Sequence, residues 1–227
     1  MLGVIGPAVR WRARVVPVVA VVALAGCSSS KSTNSALSTT TTAATSATVA
    51  GAAPIDLRGA IFSELPAGYI EEPIGASADG PLGLTATAIA VDDLEPARQA
   101  ALLVQYGFRR AYERTWSVKG AGQTLIIRVQ LMGSGLLATG YFNLLALADR
   151  AVTQFTAFAT PTLVRAAGFS RAFAGATGPQ VAEDVSLVRG PLFYHLIFTG
   201  PQGSVSPGNV LGIAQSQSDL AASLGYS

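Results

Sequence analysis

The chain is poor in the residues that usually carry chemistry. It has one cysteine, one histidine and two methionines, and only 12% of its residues are charged, about half the usual share for soluble proteins. A lone thiol, Cys27, closes no internal disulfide. With one imidazole beside it, it completes no zinc cage of three or four Cys/His ligands. Metal and redox chemistry are therefore not expected, and neither is a cofactor. A Ser-His-Asp hydrolase would have to recruit His195, but no GxSxG elbow occurs, and MGSGLL at 132–137 has the wrong frame. Phosphate-binding Walker loops, the Rossmann fingerprint and internal repeats are also missing.

Acids are present but unremarkable. The pairs Glu71-Glu72, Asp92-Asp93 and Glu183-Asp184 read as a solvated loop, a helix start and a strand entrance. Two carboxylates about 5–9 Å apart can perform glycoside chemistry, yet no pair stands out, so no catalytic residue is assigned. His195 alternates with Phe193 and Ile197 and is expected to point where they point, as a hydrogen-bonded histidine of the core or sheet face.

The N-terminus is better furnished. Arg10, Arg12 and Arg14 precede an uncharged run over 15–26. That run matches a secretory apolar region in length and is too short to cross a ~30 Å hydrocarbon layer. It ends in Leu24-Ala25-Gly26-Cys27, which resembles a bacterial lipobox. The resemblance implies cleavage between Gly26 and Cys27 and a diacylglyceryl thioether on Cys27, so the expected partner is a membrane, held through that anchor on its extracytoplasmic face. Two or more acyl chains hold a protein stably. Three of the fifteen basic residues lie in 1–26, leaving twelve against thirteen acids. A nearly neutral chain does not track phosphates, so nucleic acid is not expected as a partner.

Three regions follow: a signal peptide at 1–26, a lipidated cysteine plus disordered linker at 27–54, and one globular domain at 55–227. Fourteen of the residues 28–54 are Ser or Thr and only Lys31 is charged. Such a segment buries too little surface to offset its ordering entropy, and spans roughly 30 Å as a coil. Within the domain, 55–90 reads as one or two short strands punctuated by Pro and Gly. A helix is expected from an Asp93 cap to a stop at Gly107. A hairpin of 108–118 and 124–132 follows, then a helix opened by Ser134. Strands are expected near 154–159, 168–174, 184–189 and 192–199. A last helix, entered through Ser206-Pro207, is expected to turn Val210, Ile213, Leu220 and Leu224 inward. The order predicts an α+β fold, an antiparallel sheet flanked by helices.

The stretches GFRRAYERTW (107–116), GYFNLL within the second helix, GF near 168 and RGPLFYHLIF (189–198) are similar to small actinobacterial surface lipoproteins. The resemblance implies a PsbP-like sandwich domain and carries over no catalytic residue.

Two features invite a binding function. Arg110, Tyr112, Arg114 and Trp116 share one strand face, a composition typical of recognition patches. The helix over 134–148 has no charge, whereas a helix on a sandwich surface should show a polar side. Its Leu137, Tyr141, Leu144 and Leu145 are therefore expected either to be buried or to meet an apolar ligand or partner. The leading expectation is a non-enzymatic, membrane-anchored binding module recognising an envelope protein. The alternative is a carrier with an apolar lipid in a cavity beside the 134–148 helix, and an envelope hydrolase is third.

Overall fold

The computed structural model describes residues 55–63, 65, 67–73, 80–92 and 94–227. Gly26, Cys27, the linker and Asp93 lie outside them. In order along the chain are β1 (Tyr69–Glu71), β2 (Gly80–Leu82), α1 (Leu84–Val91), α2 (Pro96–Gln105), β3 (Arg110–Val118), β4 (Gln123–Leu131), α3 (Gly135–Arg150), β5 (Thr156–Phe158), β6 (Ala166–Gly175), β7 (Gly178–Arg189), β8 (Leu192–Pro201) and α4 (Pro207–Ser223). All strand pairs are antiparallel. They form one sheet in the order β1-β3-β4-β8-β7-β6-β5, with β2 also on β3.

The expected α+β class is observed, with helices on both faces of the sheet. Neighbouring strand residues point to opposite sides, and two residues of β8 show what each side meets. The Phe193 ring takes the edge of Tyr141 from α3 at 5.1 Å. The Tyr194 hydroxyl instead donates to the Ala60 carbonyl at 3.2 Å, which also accepts from Gln217 Nε2 of α4 at 2.7 Å. So α3 covers one face, and α4 with residues 57–62 covers the other. Ala88 of α1 and Leu103 of α2 join Tyr141, Phe142, Phe169 and Phe193 in the α3-side core.

Local chemistry explains the starts of the long helices. Ser134 Oγ accepts from the Leu137 N–H at 3.2 Å, satisfying one of the free donors of α3. Pro207 opens α4, and Asn209 Oδ1 accepts from the Ser206 N–H at 3.0 Å.

Three expectations are corrected. LTATAIAV is helical rather than a strand: Thr87 Oγ1 donates to the Gly83 carbonyl at 2.8 Å, and the buried Ala88 packs into the α3-side core. The helix expected from residue 93 begins later, at Pro96 with Glu95 as its N-cap, and Asp92 organises the turn into it, its Oδ1 accepting from the Leu94 and Glu95 N–H groups, each at 3.1 Å. In α4 the buried line is Val210, Ala214, Gln217, Ser218 and Ala221, while Leu224 is exposed. Small and amide side chains let α4 lie close to residue 60 and to Arg189, which donates to Ser218 Oγ.

Candidate functional site

The Arg/aromatic set lies on the α4 side of the sheet, and the structure does not leave it open. Arg110 is exposed and Tyr112 half-buried, but Arg114 is 4% and Trp116 2% exposed. Residues from fifty positions earlier cover the pair. Phe62 lies tilted against Trp116 with ring centroids 6.4 Å apart. Arg114 donates to the Phe62 carbonyl at 2.9 Å and, through Nε, to Glu71 at 2.8 Å. Its guanidinium sits 5.0 Å from the Trp116 ring centre. The expected open patch is thereby corrected: Arg114 and Trp116 lie beneath Phe62.

The surface beside Phe62 is concave. A groove of about 570 Å³ runs between Phe62, Leu65 and Tyr69 on one wall and Asn209, Gly212, Ile213 and Ser216 of α4 on the other. A second hollow of about 440 Å³ adjoins it at Phe62, bordered by Asp56, Arg58, Arg114 and Leu220. Tyr69 is held by the Phe198 ring at 6.2 Å, and partial burial raises its hydroxyl pKa. Gly212 puts no side chain into the groove, so backbone and the half-buried Ile213 form that wall. The groove falls within the size range of small-molecule sites.

The uncharged helix behaves differently from the expectation for a cavity wall. Along α3, Ala138, Tyr141, Phe142 and Ala146 are buried, and Leu145 packs against the same cluster. Leu137 lies over Gly107 and Gly133, where an added Cβ would come within 3.0 and 3.2 Å of its Cδ1. Leu144 is half-buried. The opposite side carries Leu136 and Leu147, 82% and 67% exposed, so the helix is buried on one side only. Neither of the two large hollows has an α3 residue in its walls. The hollow at the end of α3 measures about 10 Å³, room for a single water at most.

A feature not anticipated from the sequence lies beneath α3. Cross-strand neighbours put Glu113, Arg128, His195 and Ser186 in one row over β3, β4, β8 and β7. Arg128 Nε donates to Glu113 at 2.6 Å, and both side chains are buried. His195 Nε2 shares a 2.7 Å hydrogen bond with Asp184, as expected for a hydrogen-bonded sheet-face histidine, while its Nδ1 has no hydrogen-bond partner among the described residues. Arg171 of β6 lies over Phe155 and Phe173 with centroid distances of 5.5 and 5.4 Å. Tyr141 receives a 2.5 Å hydrogen bond from Gln99, and burial raises its pKa. Glu183 points to the opposite face, where Ser170 donates to it at 3.1 Å. Polar residues alternating with Ile127 and Val129 look solvated in sequence; only knowledge of a second helical layer identifies them as interior.

Among the described residues no group of three or more His, Cys, Asp or Glu is placed to hold a metal, and no helix is long and apolar enough to cross a membrane.

No protein-family model and no curated protein matches the chain. Among solved structures, it is similar to the extracellular domain of PknH from Mycobacterium tuberculosis, with 10% identity and a TM-score of 0.46 over 72% of this chain and 95% of that one. A likeness at this level assigns the chain neither a family nor a role.

Proposed function

We propose that the chain is a lipid-anchored, extracytoplasmic binding module without catalytic activity, tied to the membrane through Cys27 and engaging an envelope partner in the groove between Phe62–Tyr69 and α4. The groove carries this reading. Its walls are Phe62, Leu65, Tyr69 and Ile213, Arg114 holds the Phe62 carbonyl in place from behind, and Asn209 and Ser216 supply neutral polar contacts. Aromatic and aliphatic walls with a few polar groups suit an inserted apolar side chain or acyl group. The same walls favour a second reading, carriage of an apolar lipid, located in this groove rather than beside α3.

Two measurements test the proposal. Cys27→Ala is expected to abolish incorporation of a labelled fatty acid and to leave unprocessed precursor; normal labelling and processing would remove the anchor. For the groove, a photo-crosslinking residue at position 213 of the full chain, in its own envelope, is expected to give a discrete adduct, while the same residue at 147 gives none. An adduct of protein mass supports the interaction module and one of lipid mass the carrier. Crosslinking from 147 alone would move the contact to the outer face of α3 and refute the groove.

A further inference from the structure

The interface between α3 and the sheet holds an uneven set of charges. The carboxyl groups are Asp149 of α3, Asp184 of β7 and Glu113 of β3; the guanidinium groups are Arg128 of β4 and Arg171 of β6. Three acids face two arginines, and His195 of β8 is the remaining titratable partner. Among the described residues nothing else on this face redresses the balance. α1 and β5 have no charged residue, residues 151–155 have none, and Arg150 and the Arg98–Glu95 pair are exposed. Among the described residues this excess of carboxyl groups favours a proton on Asp149.

Asp149 and Asp184 line the same water-sized hollow, closed by Phe155, Phe169, Arg171 and Ala182. Phe155 stacks against Phe169 with centroids 6.1 Å apart and lies under Arg171, so the chain leaving α3 is fastened at the same spot. Burial and the nearby Asp184 push the Asp149 carboxyl from 3.8 up to about 7, with His195 acting in the opposite direction. Bringing a second carboxylate up to Asp184 in a poorly hydrated site is costly unless it carries a proton.

The geometry points to a proton-linked latch: the last turn of α3 and Phe155 stay seated on the sheet while Asp149, facing Asp184 across the closed hollow, holds a proton, and they open more readily when it is lost. Seated, Asp149 keeps its proton; released into solvent, it ionises as an ordinary aspartate. Opening is therefore hardest in acid. It grows easier as pH rises between the free and seated values, by up to about tenfold per unit for one proton, and levels off above the seated value. The latch acts on the face of the sheet opposite the groove and does not depend on the proposed binding function.

Hydrogen exchange of the full chain tests it, following peptides across 144–158 with the intrinsic rate divided out. Between pH 5 and pH 8 wild type is expected to lose protection there by at least tenfold, while peptides across β4 stay unchanged. In Asp149→Asn, protection should not vary with pH. Protection that is flat in wild type, or a variant that follows wild type, overturns the proposal. The carboxyl carbon resonance of Asp149 gives a check that needs no variant at that position. Its midpoint should lie near 7 and fall in Asp184→Asn; a midpoint near 4 in wild type, or one unmoved by Asp184→Asn, also overturns it.

Discussion

Trp116→Ala is expected to lower the unfolding free energy by about 3–5 kcal/mol, read as a shift in the urea midpoint. The size follows from what the indole fills. Trp116 pairs across the strands with Leu125, lies against Phe62 and carries the Arg114 guanidinium on its face. Removing it opens a void between the sheet and residues 57–62 that rigid β3 and β4 cannot collapse into. It also takes away the surface on which Arg114 rests, worth up to about 2 kcal/mol for a desolvated cation–π contact. Trp116→Phe keeps an aromatic and should cost clearly less. A midpoint that hardly moved would instead mean that residues 57–62 do not cover the indole in solution, leaving Arg114 and Trp116 as the open patch that strand alternation suggests.

The second large effect belongs to the Glu113–Arg128 pair. Glu113→Ala leaves a guanidinium buried without its carboxylate and should destabilise by about 3–5 kcal/mol. Arg128 has little else to turn to, since its Nη1 lacks a hydrogen-bond partner among the described residues. Replacing both, as Glu113→Leu with Arg128→Met, removes the two desolvation costs together and is expected to be far milder than either single change. Wild type, Glu113→Leu, Arg128→Met and the double variant form a double-mutant cycle whose coupling term should exceed about 2 kcal/mol. A term near zero would show that water reaches the pair and screens it.

Much of the fold could be read from residue order. The hairpin, the caps at Ser134 and Ser206, and the inward direction of His195 all rest on short-range rules, and the structure keeps them. What escaped depends on contacts distant in sequence. Nothing near Trp116 indicates that Phe62 will cover it, so an Arg/aromatic face looks like a surface. Arg128 and Gln130 alternate with Ile127 and Val129 as if one side of β4 were wet. The α3 layer closes that side, and Glu113 meets Arg128 there. In α4, sequence favours the large apolar residues as the inner line, whereas close approach to the Ala60 carbonyl selects Ala214, Gln217 and Ser218. The groove follows from that same approach and leaves no local mark in the sequence.

The sheet's borders have a consequence for how copies of the chain meet. The long strands β3, β4, β7 and β8 are interior, and β5 pairs the outer side of β6 over Gly168–Ser170. One border is made of β1 and β2 side by side on β3, and the other of β5, each three residues long. Pro81 at the centre of β2 offers no N–H outward. On the β1/β2 side a neighbouring copy therefore finds only brief, interrupted rows of free backbone groups, poor templates for strand addition, so copies that meet there do not extend one sheet into the other.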